Sequence, residues 1–349
     1  MQRFILIAIL CASVMPAAAQ SFYLSVDVPT DLPATELPWT ILRNDASAYS
    51  MHTAFPPAAL IDAVHREQTG DWLLSVESPT RLGGVAVEPR DVVRFDGTNY
   101  SHVLEGIAEG IPEGIGIDAV YAEGSDLIVS FDAPVNLGGT LTYLPADLVR
   151  WSGGGSFAME FPSLSAGIPR YANVTGADKR GFGREEFLLT FDVPTLTTSG
   201  NFMPGDIVAW DGFALTLDYS DAAWPETSRA NSLSLAAGAG EVPTLFIAKA
   251  PASELTLSWE ESCAVGGTEE YAIYRGDLGS WYSHVAVDCT DDDGLPLSEN
   301  VPADTGSYYY LVVPFNTDSE GFYGADSDGT ARPTGTATCG PVFQEIGCP

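Results

Sequence analysis

The chain repeats one alternation of apolar and polar residues four times. "YLSVDVPTDL" (23–32), "LLSVESPTRL" (73–82), "LIVSFDAPVNL" (127–137) and "LLTFDVPTL" (188–196) each carry an apolar run into an acid, with a proline two residues later. The acids are Asp27, Glu77, Asp132 and Asp192, at steps of 50, 55 and 60 residues (27 to 77, 77 to 132, 132 to 192). A second phrase follows each acid: "PWTILRNDASAYS" (38–50), "PRDVVRFDGTNYS" (89–101), "PADLVRWSGGGSF" (145–157) and "PGDIVAWDGFAL" (204–215). Asp96-Gly97, Ser152-Gly153 and Asp211-Gly212 separate two apolar runs there, the signal of a tight hairpin whose turn needs positive φ. A third phrase closes each unit: "PPAALIDAVH" (56–65), "PEGIGIDAVY" (112–121), "PRYANVTG" (169–176) and "PETSRANSLS" (225–234).

Each unit therefore predicts four short strands: an "IDAV" strand, an "LIVSFD" strand, a "DLVRW" strand and an "SFAMEF" strand. The chain is permuted against this unit. It starts on "YLSVD" without an "IDAV" partner and ends its repeats on "NSLSL", an "IDAV" strand without followers. Joining the two halves completes a unit, closes a ring and removes exposed sheet edges. The "LIVSF" and "DLVRW" runs are apolar on both faces, as sheets packed between neighbouring sheets require. The expected architecture is all-β: a four-bladed β-propeller over 20–240, closed by its N-terminal strands. A pair of β-sandwiches or a β-solenoid is the rival arrangement.

"GIPEGIGIDAVYAEGSDLIVSFD" followed by "DLVRWSGG" resembles the hemopexin-type repeat, whose family forms four-bladed propellers. These units add a loop at the "PVNLGG" position and lack that family's terminal disulfide. The repeats also resemble those of exported bacterial proteins of unknown activity that carry "LLSFD" and "DVVRYDG" phrases. Further on, "ELTLSWEESC", "EYAIYRG" and "GSYYYLVVPFNTDSEGFYG" come in the order of strands in a fibronectin type III domain. That resemblance implies a β-sandwich over 241–335, with Trp259 in its core and a tyrosine corner at the sixth strand.

Residues 1–19 read as a cleaved secretory signal: Arg3, an apolar run from Phe4 to Val14, and the small-residue site Pro16-Ala17-Ala18-Ala19. The mature chain is expected to be secreted, to the periplasm or the extracellular space. No later apolar run is long enough for a membrane anchor. Four cysteines then remain: Cys263, Cys289, Cys339 and Cys348. An even count in an exported chain predicts disulfides. Proximity favours Cys263–Cys289 and Cys339–Cys348, the latter closing a bridged tail over 336–349. The charge is extreme, with 47 acids against 15 bases and a net of −32. Such a surface repels nucleic acid and anionic lipid, so the expected partner is a protein or a glycan.

Candidate chemistry sits at four places. Asp62, Asp118, Asn173 and Asn231 stand near the start of the "IDAV" strands, six residues after a proline in three copies and four in the third. On innermost strands they would ring a central channel and offer oxygens to a hard cation such as Ca2+. The plainer role is to cap the turn before each strand. The corner acids are structural by their symmetry, because acid–base catalysis needs unlike environments. Arg170, Lys179, Arg180 and Arg184 gather four of the few bases around "ADKRGFGREE", which reads as a loop and a partner contact. The acidic runs 288–294 and 324–330 hint at calcium loops but lack the EF-hand Gly and Glu. Arg275-Gly276-Asp277 is an isolated tripeptide on the fibronectin-like segment. His52, His65, His102 and His284 are scattered, and His65 aligns with Tyr121. No zinc-protease, nucleophile-elbow or P-loop motif occurs. The expected function is non-catalytic binding or scaffolding through propeller loops. The alternative is an exported hydrolase, glycan-directed, using acids on one face.

Overall fold

The computed structural model describes residues 22–340 apart from short stretches, the longest being 181–185, 237–241, 263–269, 290–296 and 325–331. The signal over 1–19, most of both acidic runs, Arg184, Cys263 and Cys348 lie outside the described residues. The elements are all β-strands. Unit one holds β1 (Phe22–Leu24), a hairpin of β2 (Thr30–Leu32) and β3 (Ala34–Glu36), then β4 (Thr40–Asp45) and β5 (Ala48–Ala54). Unit two holds β6 (Ile61–Arg66), β7 (Trp72–Val76), the hairpin β8 (Thr80–Leu82) and β9 (Val85–Val87), β10 (Val92–Phe95) and β11 (Tyr100–Leu104). Unit three holds β12 (Ile117–Glu123), β13 (Asp126–Phe131), β14 (Leu148–Trp151) and β15 (Phe157–Phe161). Unit four holds β16 (Val174–Arg180), β17 (Glu186–Phe191), the hairpin β18 (Thr195–Leu196) and β19 (Asn201–Phe202), β20 (Ile207–Trp210) and β21 (Leu215–Tyr219). A two-residue strand, β22 (Ser234–Leu235), follows.

These strands build four antiparallel sheets in the order β22-β1-β4-β5, β6-β7-β10-β11, β12-β13-β14-β15 and β16-β17-β20-β21. The first sheet joins the two ends of the repeat region: Phe22 pairs with Leu235 and Tyr23 with Ser234. The turn chemistry explains the hairpins. Gly97 and Gly212 have φ of 87° and 91°, and each preceding aspartate accepts two backbone N–H bonds across the turn. The outermost strands β5, β11, β15 and β21 all carry a register shift against their partners, which bends the exposed edge.

Strands β7 and β13 are buried on both faces because each sheet lies between two others. Four apolar clusters fill the spaces. One joins units one and two around Tyr23, Ile41, Trp72 and Leu74. The next joins units two and three around Leu73, Val92, Phe131 and Val149. A third joins units three and four around Leu148, Phe161, Phe191 and Val208. The fourth joins unit four back to unit one, with Leu188 and Ile207 against Phe22, Leu24 and Leu42. Burying one such side chain contributes about 1.5–3 kcal/mol, so these clusters dominate the stability of the repeats.

The remaining strands are β23 (Leu245–Ala250), β24 (Glu254–Trp259), β25 (Glu270–Asp277), β26 (Val285–Asp288), β27 (Ser298–Pro302) and β28 (Tyr308–Phe315). They form two three-stranded sheets, β23-β24-β27 and β26-β25-β28. Leu257, Trp259 and Val301 of one sheet pack on Tyr271, Ile273 and Val312 of the other. On the second sheet's opposite face, Tyr274 and Val313 are covered by Tyr323 from the chain beyond β28. The buried carboxylate of Glu320 there accepts hydrogen bonds from the hydroxyls of Tyr274 and Tyr323. Cys289, just after β26, is bonded to Cys339. Both expected pairings are thereby corrected, since each used a cysteine that this bond consumes. Proximity in sequence failed because the segment after β28 folds back over the sheet and brings Cys339 to Tyr274, to which its N–H donates at 3.1 Å.

Candidate functional site

The first strand of each unit meets the others at one junction: β6, β12, β16 and β22 lie against one another. The register of each pair places equivalent residues. Ile61, Ile117, Val174 and Ala230 stand opposite Val76, Phe131, Phe191 and Val26. The next residues are Asp62, Asp118, Thr175 and Asn231. The sequence expectation of Asn173 is corrected here: the sixth position after Pro169 is Thr175, as in the other three copies. Thr175 Oγ1 donates to the Ala230 carbonyl at 2.7 Å. Asn173 still reaches the group from one turn earlier, because its amide nitrogen donates to Asp118 Oδ2.

The cluster is closely knit. Asn231 Nδ2 donates to Asp62 Oδ1 at 2.9 Å and to the Ile61 carbonyl at 3.0 Å. Asp62 and Asp118 are both buried and stand within hydrogen-bonding reach of each other. Burial, then the charge of Asp118, holds the Asp62 carboxyl well above the ordinary carboxylate range. Burial pushes Asp118 up to about 6, opposed by the hydrogen bond from Asn173. The amide nitrogens face the carboxylates, and the carboxyls face each other. The two carboxamide oxygens, Asn173 Oδ1 and Asn231 Oδ1, are buried beside them with no hydrogen-bond partner among the described residues. Among the described residues no group of three or more His, Cys, Asp or Glu is placed to hold a metal ion.

A second polar layer lies three residues further along the same strands: His65, Tyr121, Asp178 and Ser234. Asp178 Oδ2 accepts from the Leu235 N–H at 2.8 Å and from Ser234 Oγ at 3.2 Å, and His65 Nδ1 stands 3.4 Å away. The alignment of His65 with Tyr121 holds, with ring centroids 6.5 Å apart. Ser, His and Asp form no nucleophilic relay here. Serine and aspartate both address Nδ1, whereas a relay needs one on each ring nitrogen. Between the layers stand only small residues, Ala63, Ala119, Gly176 and Ser232. Sequence reading missed this second layer, and counting nine residues from each of the four prolines would have found it.

The corner acids act on the backbone. Asp27, Asp132 and Asp192 accept from the N–H of Arg229, Gly116 and Asn173 at 3.0, 2.9 and 3.1 Å. Each clasps the start of a first strand to the end of a second. Glu77 breaks the pattern: it is exposed, and its side chain makes no such bond among the described residues. It borders a cleft of about 400 Å3 between units two and three, shared with Glu88, Arg90, Glu113 and Asp132. A further repeated acid went unnoticed in the sequence. Asp91 and Asp147 each tie two backbone N–H groups across the approach to a third strand. Asp206 makes the first of those bonds to Met203, and Thr40 replaces it in unit one.

Lys179 and Arg180 belong to β16 rather than to a loop. Lys179 pairs with Glu123 at 2.7 Å, and Arg180 with Glu186 and Asp218 at 2.8 and 2.6 Å. Arg170 is exposed in the turn before that strand. Arg275 to Asp277 lie within β25, where Arg275 stacks over Tyr308. The four histidines are apart: His52 packs on Tyr23, His102 faces Asp91, and His284 is buried among tyrosines.

No protein-family model matches the chain, and no curated protein matches its sequence. Among solved structures it is similar to titin domains A168–A170, at 11% identity and a TM-score of 0.22, over 72% of this chain and 88% of that one. It is also similar to a Bacteroides caccae protein of unknown function, at 10% identity and a TM-score of 0.23, over 90% of this chain and 92% of that one. At those scores neither likeness bears on what the chain does.

Proposed function

We propose that the chain is an exported, non-catalytic binding or scaffold protein. Its four repeat units form a four-bladed β-propeller, and a fibronectin type III-like module follows. Cyclic packing of the apolar clusters, each shared by two successive units and the last by units four and one, supports the ring. The hairpins β2–β3, β8–β9 and β18–β19 all stand between second and third strands, so they crown one face and serve as its contact loops. The expected partner is a protein or a glycan.

The disposition of the acids carries the non-catalytic reading. Three corner acids hold backbone N–H groups, and the two most perturbed acids are buried in contact with each other. A glycosidase pair stands roughly 5–10 Å apart, with substrate between. The hydrolase reading keeps one observation in its favour. Glu77 and Asp132 share a cleft, both exposed, but Asp132 accepts from the Gly116 N–H and has its carboxyl raised by desolvation, whereas Glu77 makes no such bond among the described residues. The test is to pass the labelled full chain over glycan arrays and cell surfaces while assaying polysaccharides for new reducing ends. Retention without reducing ends is expected. Reducing ends that vanish in Glu77→Gln would replace this reading with the hydrolase.

A further inference from the structure

The edge of a sheet is where another chain can be added, and most edges in this molecule are guarded. The outermost strands of the four repeat sheets each carry a register shift. In the sandwich, β26 joins β25 across a shift, β27 holds Glu299 and ends on Pro302, and β28 holds Pro314. Strand β23 has neither shift, proline nor acid. Its six residues, Leu245 to Ala250, pair with β24 in unbroken register.

The strand is also uncovered. Phe246 is 58% and Ile247 53% exposed, and Ala248 and Lys249 are exposed beside them. Phe246 lies opposite Ser258 on the outward face, whereas Ile247 lies opposite the buried Leu257 on the face turned to the core. A half-exposed isoleucine on that face means that the second sheet stops short of β23. The strand therefore presents a bare backbone edge with apolar side chains uncovered on both faces.

We infer that β23 is a self-association edge, which pairs antiparallel with β23 of a second copy and joins two three-stranded sheets into one. The strand is self-complementary in that pairing. A two-fold axis normal to the sheet keeps core-facing residues on one side, so odd-numbered residues pair with odd and even with even. Centred on the axis, Ile247 meets Ile247 of the second copy, Phe246 meets Ala248, and Leu245 meets Lys249. Large side chains thus face small ones outward. On the inner face the lysine stem lies along leucine and its ammonium stays in water. The two lysines remain about 14 Å apart, beyond the screening length of about 8 Å at physiological salt. Charge selects the same place. Copies with a net charge of −32 repel, so a contact between them must be poor in acids. From Val242 to Ser253 the chain has none, and Pro243 and Pro251 bound the stretch that can pair. Each copy offers one such edge, so the assembly closes at two.

The experiment is sedimentation equilibrium of the full chain from about 1 µM to about 500 µM, at about 0.1 M and about 0.5 M salt. Wild type should move from the mass of one chain towards that of two, with a dissociation constant at least about threefold lower at the higher salt. Ile247→Lys and Ile247→Glu each set like charges together on the axis, and each should weaken the dimer at least about tenfold. Their equimolar mixture should restore it, because the axis then carries opposite charges. A wild type that stays at one chain mass, a dimer weakened less than about threefold by both substitutions, or no recovery in the mixture would overturn the inference. If either variant fails to fold, Phe246→Ser on the outward face replaces it, and an unchanged dimer then refutes the pairing.

Discussion

Gly176 sits where the first strand of unit four presses on the closing strand, and replacing it with alanine tests the junction directly. A Cβ at this position would lie 2.6 Å from the Leu233 nitrogen, 2.7 Å from the Ser232 carbonyl carbon and 2.7 Å from Thr190 Oγ1. Two of the three are backbone atoms, which no rotamer change can move. Restoring ordinary contact of about 3.4 Å requires the closing segment to retreat by roughly 0.8 Å (3.4 less 2.6). Overpacking of this kind costs about 1–3 kcal/mol. At about 2–4 °C per kcal/mol for a domain of this size, the melting temperature should fall by about 2–12 °C. The retreat also pulls Leu235 N–H from Asp178, its 2.8 Å acceptor, so the loss should localise. Thermal denaturation measures the first effect, and hydrogen exchange at Leu235 the second, with about tenfold faster exchange expected for each 1.4 kcal/mol. Ala119→Gly at the equivalent place in unit three is the control, and should lack the localised exchange. A Gly176→Ala protein melting within 1 °C of wild type, with unchanged exchange at Leu235, would refute the packing argument.

Three further outcomes are expected. Asp91→Ala should destabilise the chain by about 2–4 kcal/mol in urea titration, because it strips acceptors from the N–H groups of Glu88 and Gly106. Non-reducing peptide mapping should recover Cys289 linked to Cys339, and reduction should cost about 4 kcal/mol by the loop-entropy relation for a separation of 50 residues. His284 is buried and held below its ordinary pKa, so its contribution is present above the unfolded value near 6.5 and lost as pH falls through the folded one. The unfolding of β23–β28, followed by tryptophan fluorescence, should therefore weaken from pH 7 to pH 5. His284→Gln should flatten that slope.

Much of the repeat architecture was legible because every level repeated together. Acid, proline, hairpin glycine and apolar run recurred in one order, and the strand order in the sheets is the order read from them. Three of the four corner acids, Asp27, Asp132 and Asp192, do meet a recurring backbone need, and Glu77 does not. The errors have local causes. Asn173 was aligned with Asp118 by residue type, whereas the spacing from Pro169 puts Thr175 at the equivalent position, although Asn173 does donate to Asp118. "ADKR" looked like an insertion because its charges broke the apolar pattern. Those bases are the end of a seven-residue strand, kept there by ion pairs with Glu123, Glu186 and Asp218. The gathering of Asp62 and Asp118 on neighbouring first strands was expected from the repeat, but no single unit says which side chains of two units meet. The cysteine pairing was hidden for the same reason.

The two-residue strand that completes the first sheet is also the last of the repeat region to be made. Ser25 hydrogen-bonds to Ser232, 207 residues downstream, so a chain emerging from its N-terminus cannot complete its first sheet until the last repeat residues have been made. Until then β1 offers an unpaired edge that any other strand can occupy. Bringing such distant segments together also slows folding, because the loop-closure entropy must be met before the contacts are gained. A nascent or truncated chain ending before Asn231 is thus an aggregation hazard as well as an incomplete fold. Until those residues arrive, the chain is held open by its own topology, with its first sheet one strand short.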